Sequence, residues 1–288
     1  MKILVTGGSG FIGSHIVDKL IEKGHNVRIL DLKIPHSKNV DFIEGSVLDI
    51  DDIKKATDKV DIIFHFAGVS NIDKVKENPH KTIETNILGT ANILEQARVQ
   101  NVNRFFLASS VYVYDDGGHL YTYSKKVSED LCIHYQKLYD LPYTVIRLAT
   151  AYGPRSRGED VISIFVRNSI EKNAISVRGG GTQIRNFIYV EELAIGCVKA
   201  MSTKCINTII TLAGREEINI SQLSILVKKL FNDSININTE SNNDRDFDYI
   251  GAIENINESY EKLNWKPKIN LEKGIKKYID WYNHFEKL

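Results

Sequence analysis

The chain has 288 residues, enough for one large domain or two modest ones with a substantial core. Its 37 basic and 37 acidic residues cancel, so no overall field draws it to nucleic acid or an anionic membrane, and any phosphate-bearing ligand must be held by local groups. The three cysteines, Cys132, Cys197 and Cys205, have no metal-ligand spacing and no apolar run approaches the roughly 20 residues of a membrane span, so a reduced, cytoplasmic protein without a metal is expected.

The first element is the strand KILVT, followed at once by TGGSGFIGSH and a helical pattern. Gly7, Gly10 and Gly13 stand in a GxxGxxG pattern between strand and helix, with Phe11 and Ile12 in the helix's first turn. Glycines there permit a tight turn and close backbone approach to a pyrophosphate, and the helix N-terminus supplies amides and a positive dipole end. A flexible turn is the competing explanation, but the strand-to-helix position favours a dinucleotide site. The second strand, VRIL, ends at Asp31, 18 residues beyond Gly13. A carboxylate there accepts from ribose hydroxyls and repels a 2′-phosphate, which favours NAD over NADP, with Lys33 able to moderate the repulsion.

Next come the strands VDFI and DIIFHFA, a helix over KTIETNILGTANILEQARVQ, the strand RFFLASS, a helix over YTYSKKVSEDLCIHYQKLY and the strand TVIRLA. Several of these strands are apolar nearly throughout, as expected when helices cover both faces of a parallel sheet. The fold class is therefore α/β, a doubly wound parallel sheet of the Rossmann type. After TVIRLA the pattern changes to loop-like AYGPRSRGED, glycine-rich GGGTQIRN, and amphipathic helices around an Asn/Asp-rich loop. A smaller, discontinuous C-terminal domain closing over a cleft is expected. Residues 1–152 and 186–206 are assigned to dinucleotide binding, and 153–185 and 207–288 to substrate binding.

The segment SSVYVYDDGGHLYTYSKK holds several hydroxyls, but only Tyr121 has a lysine four residues on, Lys125, and so on the same helical face. A tyrosine titrates near pH 10 and needs a nearby cation to act as a base at neutral pH. Lys125 is the candidate cation, and the serines at the end of the preceding strand are candidates to orient a substrate hydroxyl. Tyr123 lies about 200° around the helix and should face elsewhere.

These motifs together, with Asp49 in VLDIDD, HFAG, Asn86 in TNILGT, RLATAYGP and GGGTQIRNFIYVEEL, resemble the extended short-chain dehydrogenase/reductase family. Within it the chain is similar to the NAD-dependent nucleotide-sugar epimerase/dehydratase group of the UDP-glucose 4-epimerase type, over nearly its whole length. The resemblance implies that Tyr121 and Lys125 are the catalytic pair and Ser110, not Ser109, the catalytic hydroxyl. It implies that Asp49 and Ile50 contact the adenine and that Phe66, Ala67 and Gly68 line the cofactor; a capping aspartate and core packing are the alternatives for these. On the substrate side it implies Tyr112 in the sugar pocket, Arg185 on the diphosphate, and Arg245 with Asp248 on phosphate and ribose. It also implies a homodimer built by the helices near Lys81–Gln100 and Tyr121–Tyr139, where Leu131, Ile133 and Leu138 supply apolar surface.

Two departures narrow the chemistry. Dehydrating relatives carry Asp-Glu after the catalytic Ser/Thr and decarboxylating ones commonly keep a glutamate, whereas this chain has Val111 and Tyr112. Epimerisation by transient oxidation, at carbon-4, is the expected activity. The alternatives are an NAD(P)H-dependent keto-sugar reductase and a dinucleotide-sensing protein without catalysis. Asp115, Asp116, Gly117 and Gly118 form a tight turn where many relatives have a longer loop, which predicts an open pocket. Thr150 stands where many epimerases have an asparagine.

Overall fold

The structure, a computed structural model, describes residues 1–114, 119–231, 233–240, 253 and 256–285. In chain order the first elements are β1 (Lys2–Thr6), α1 (Phe11–Glu22), β2 (Asn26–Asp31), β3 (Asp41–Glu44), α2 (Ile50–Thr57) and β4 (Ile62–His65). The helical stretch after β4 is composite: α3 (Ile72–Glu77), α4 (Pro79–Ile83), a π turn (Glu84–Leu88) and α5 (Gly89–Val99). Then come β5 (Arg104–Ser110), a 3₁₀ turn (Val111–Tyr114), α6 (Leu120–Tyr139), β6 (Tyr143–Leu148) and β7 (Thr150–Tyr152). The remainder is α7 (Val161–Lys172), β8 (Ala174–Arg178), β9 (Ile184–Tyr189), α8 (Val190–Lys199), β10 (Thr208–Leu212), β11 (Glu217–Asn219), α9 (Ile220–Leu230), β12 (Asn236–Glu240), α10 (Ile256–Leu263) and α11 (Leu271–Phe285).

The chain divides into two compact units. The first comprises Met1–Leu148, Ala194–Leu212 and Ile253–Lys266. It holds a seven-stranded sheet in the order β10-β6-β5-β4-β1-β2-β3, parallel throughout. Every residue of β4 and β5 is buried, which is why these strands read as unbroken apolar runs. The strand order reverses between β1 and β4, so the turns leaving these two strands meet at the crevice where this class of fold binds ligands.

The second unit comprises Ala149–Leu193, Ala213–Ala252 and Pro267–Leu288. It contains the sheet β11-β9-β7 and the pair β12-β8. Its core gathers Tyr152, Phe165, Ile175, Leu223, Ile275 and Tyr278.

These limits depart from the sequence-drawn boundaries at four elements. β9 pairs with β7 and β11, so β7 and β9 both lie in the second unit. β10 adds to the parallel sheet beside β6 and so lies in the first. α10 goes with β10, because the Thr211 amide donates to the Ser259 hydroxyl at 2.8 Å. Partners distant in the chain, not local composition, decide all four. Among the described residues no helix is long and apolar enough to cross a membrane.

Candidate active site

The turn after β1 is shaped by close backbone approach. Gly7 has φ +72°, and a Cβ there would lie 2.6 Å from the Ala67 amide nitrogen. A Cβ on Gly13 would lie 2.1 Å from the Gly7 carbonyl oxygen. Only hydrogen fits at either position, so β1, α1 and the turn after β4 come together more closely than side chains allow. Gly10, which brings no side chain, occupies the N-cap of α1, and Phe11 and Ile12 form its half-buried first turn.

Asp31, at the end of β2, is held against this turn. Its Oδ2 accepts from the Ser9 amide at 2.9 Å and its Oδ1 from the Lys33 amide at 3.0 Å. The Ser9 hydroxyl is buried without a hydrogen-bond partner among the described residues. A glycine cradle, an uncapped helix start, a fixed carboxylate and an orphaned hydroxyl form a donor and acceptor set that fits a dinucleotide. Phe66, Ala67 and Gly68 leave β4 beside it; the Phe66 amide donates to Thr6 O at 2.9 Å and the Ala67 amide to Thr6 Oγ1 at 3.3 Å. Asp49 caps α2, its Oδ1 accepting from the Asp51 and Asp52 amides at 2.9 and 3.0 Å, with Ile50 exposed beside it.

β5 and α6 bring Ser110, Tyr121 and Lys125 together, all three buried. Lys125 Nζ donates to Ala108 O at 2.8 Å and lies 5.9 Å from the Tyr121 ring centroid. The two serines are directed differently. Ser110 Oγ accepts from the Tyr112 amide at 3.2 Å and shares a hydrogen bond with Tyr121, whereas the Ser109 hydroxyl donates to the buried carboxylate of Glu129. The Tyr112 ring meets both Tyr121, at 6.2 Å, and His119, at 5.5 Å, edge to face. Val111 is buried. Tyr123 is 51% exposed, on the other side of α6 from Tyr121.

Burial governs the protonation of this pair. It pushes the Tyr121 phenol up to about 12, with the Ser110 hydrogen bond pulling the other way and Tyr112 adding to the rise. It pulls the Lys125 ammonium down to about 8, opposed by Glu129 and Cys132. In the protein alone desolvation is the foremost cause of both shifts; the lowering of the Tyr121 pKa by Lys125 is expected with a nicotinamide alongside.

Three residues outside the sequence-derived site complete the surroundings. Asn86 sits in the π turn; its Oδ1 accepts from the Val69 amide at 2.8 Å, and its Nδ2 donates to Val69 O and to Ser124 Oγ, each at 3.0 Å. It thereby ties the turn after β4 to α6. His65 bridges Thr6 Oγ1, at 2.7 Å, and Thr90 Oγ1, at 3.0 Å. Glu129 receives Ser109 and pairs with Arg147 at 2.7 Å. Asn86 and the HFAG histidine stand in motifs visible in the sequence, and Glu129 follows Lys125 by four residues, so a signal existed for each.

In the second unit, half-buried Arg185 lies on β9, where its Nη1 donates to Ile184 O at 2.8 Å. Arg245, Asp248 and residues 115–118, where the sequence predicts a tight turn, lie outside the described residues.

The "NAD dependent epimerase/dehydratase family" matches residues 3–213 of this sequence. The chain belongs to that family. A Methanocaldococcus jannaschii protein named "Putative UDP-glucose 4-epimerase" is 34% identical, the match covering 97% of each chain. A Bacillus cytotoxicus "UDP-N-acetyl-alpha-D-glucosaminuronate decarboxylase" is 29% identical, covering 99% of this chain and 98% of its own. The crystal structure of a Thermotoga maritima UDP-glucose 4-epimerase with UDP-glucose superposes with a TM-score of 0.91 at 28% identity, covering 98% of this chain and 99% of that one. Family relatives thus include both epimerases and decarboxylases of UDP-sugars, and the chain is an NAD-dependent enzyme of the extended short-chain dehydrogenase/reductase type.

Proposed function

We propose that this enzyme is an epimerase of a nucleotide-activated sugar, inverting carbon-4 through a transient keto-sugar. The observation that carries this is the set of side chains around Tyr121. Ser110 and Lys125 are in place, but positions 111 and 112 hold a buried aliphatic and a phenol, and the nearby carboxylate of Glu129 is occupied by Ser109 and Arg147. That set can move one proton to and from a hydroxyl. Among the described residues it offers no second acid to expel water from the sugar.

In this proposal Gly7, Gly10, Phe11, Ile12, Gly13, Asp31, Asp49, Ile50, Phe66, Ala67 and Gly68 hold NAD. Bound NAD supplies the hydride acceptor and then the hydride donor, and its positive charge when oxidised favours a phenolate nearby. Tyr121 Oη takes the proton of the carbon-4 hydroxyl as the carbon is oxidised, and returns it after the keto-sugar has turned. Ser110 Oγ orients that hydroxyl, and the Lys125 ammonium stabilises the phenolate and binds the nicotinamide ribose. Tyr112 lines the sugar pocket, and Arg185, with Arg245 and Asp248, binds the diphosphate and its ribose; an arginine fork suits phosphate oxygens.

The test is turnover of a panel of UDP-, dTDP-, GDP- and CDP-sugars by the purified protein, followed by NMR and by absorbance at the NADH band. A 4-epimer formed without net NADH change is expected. Loss of carbon dioxide or water from the sugar, or NADH consumed stoichiometrically, would replace the proposal with a lyase or a keto-sugar reductase.

A further inference from the structure

Glu129 lies one helical turn beyond Lys125 on the same face of α6, and both side chains are buried. A buried carboxylate requires partners, and Glu129 has them on two strands. The Ser109 hydroxyl donates to Oε1, Arg147 Nε donates to the same oxygen at 3.0 Å, and Arg147 Nη2 donates to Oε2 at 2.7 Å. Ser109 and Arg147 are register partners on β5 and β6, so one carboxylate pins α6 to two adjacent strand ends. Behind it the Arg147 guanidinium lies 4.7 Å from the Tyr114 ring centroid, and the Tyr114 hydroxyl pairs with Thr211 Oγ1 of β10 at 2.7 Å. The lock therefore also reaches the 3₁₀ turn that follows Ser110.

A buried ion pair is a weak way to gain stability, since apolar side chains of similar volume serve as well or better. Its position beside Lys125 gives it a second consequence. The titratable groups facing Lys125 are Tyr121, Glu129 and Cys132 of α6 and His65 of β4, with Arg147 of β6 behind Glu129. Burial holds Tyr121, Cys132 and His65 in their neutral forms at neutral pH. Within that set Glu129 is the anion, and it is the foremost group opposing the burial that pulls Lys125 down to about 8.

We infer that the Ser109–Glu129–Arg147 lock is a positioning device: it sets the roll of α6 that presents Tyr121 and Lys125, and its buried charge keeps Lys125 an ammonium. The consequence for turnover rests on the epimerase proposal; the consequence for Lys125 does not. The experiment therefore has two readouts. Lysine labelled with ¹³C at Cε reports the Lys125 titration by NMR without substrate, the resonance being assigned by its loss in Lys125→Met. The pH dependence of epimerisation reports the working enzyme.

In Glu129→Gln the Lys125 midpoint and the alkaline limb of kcat/KM are expected to fall together by at least about half a pH unit, with KM within about three-fold. Glu129→Gln/Arg147→Met removes both charges and so avoids a half-buried unpaired arginine; it is expected to show a downward shift too, smaller than that of Glu129→Gln because the cation leaves with the anion. Ser109→Ala keeps the charge and should leave both midpoints where they are. A folded Glu129→Gln or double variant whose Lys125 midpoint is unmoved overturns the inference, as does failure of both variants to fold, which would make the lock a feature of the fold alone. Wild-type protein that titrates as expected but epimerises no sugar nucleotide would instead overturn the functional proposal and leave the lock standing.

Discussion

Tyr121 and Lys125 are more instructive as a buried pair than as a motif. A phenol near 12 and an ammonium near 8 each sit on the neutral side of their ordinary values because water has been excluded from both. In the proposed mechanism the charge that favours the phenolate arrives with the cofactor. Tyr121→Phe is expected to lose roughly 10² to 10⁴ in turnover while NAD affinity, measured by fluorescence or calorimetry, is largely kept. Tyr123→Phe, on the exposed side of α6, should stay within several-fold of the parent; equal losses in the two variants would show that the wrong hydroxyl has been chosen. His65 makes a separate prediction. Burial, with the Lys125 charge adding to it, holds its pKa at about 3, whereas in the unfolded chain it is near 6.5. Between those values the unfolded chain binds more protons, so this group's contribution is complete above pH 6.5 and is lost as the pH falls, at up to about 1.4 kcal/mol per unit. Urea midpoints of the wild type should therefore drop between pH 7 and 5 more than those of His65→Gln, and parallel curves would contradict this. Asp31 and Tyr121 stand out in the sequence because a single spacing rule picks out each. Glu129 had a partial signal, four residues after Lys125, but its role depends on Arg147, 18 residues later and across a strand crossing.

At the scale of elements, the parallel strands were legible because burial on both faces leaves apolar runs, and RFFLASS coincides with β5 residue for residue. The helix expected over 81–100 is instead α4, a π turn and α5, and the extra residue in the π turn falls at the segment containing Asn86. Such turns commonly mark functional sites, and no residue pattern announces them. The end of α8 depends on a similarly distant partner. Buried Arg104 of β5 donates to the carbonyls of Ala200, Met201 and Ser202 at 3.0, 3.1 and 3.0 Å, gathering the chain just past the helix end, where a cation also suits the dipole. Arg104→Met should cost about 2–4 kcal/mol in denaturant unfolding, and Arg104→Lys should recover less than half, since one ammonium cannot reach three carbonyls in a fork. Full recovery by lysine would mean that charge alone matters. On α6, Leu131 and Ile133 pack partly against the core of the first unit, which leaves only part of each side chain for a partner. Tyr123, Val127, Leu138 and Tyr139 are the exposed apolar residues of that helix. With exposed Ile83, Leu88 and Val99 of the other expected helix, they are the apolar surface open to the homodimer we propose. Sedimentation at micromolar concentration should give a dimer, and Val127→Glu with Leu138→Glu a monomer; a wild-type monomer would remove the proposal.

For the whole molecule, the parallel-sheet class and the family resemblance were legible mainly in the first 150 residues, where glycines, carboxylate and tyrosine stand at fixed distances along the chain. The assignment of β10 and α10 to the first unit was not legible, because TIITL reads equally well as a strand of either sheet until its pairing with β6 is seen. The central claim is that hydride leaves and returns to the same sugar carbon while Tyr121 moves a single proton. The measurement that tests it most directly is conversion of a nucleotide sugar carrying deuterium at carbon-4, in ordinary water with NAD, followed by NMR and mass spectrometry. The 4-epimer is predicted to form with its deuterium retained at carbon-4 and no NADH accumulating. Formation of the epimer with deuterium washed out into solvent, or turnover to a decarboxylated or dehydrated sugar, would contradict it.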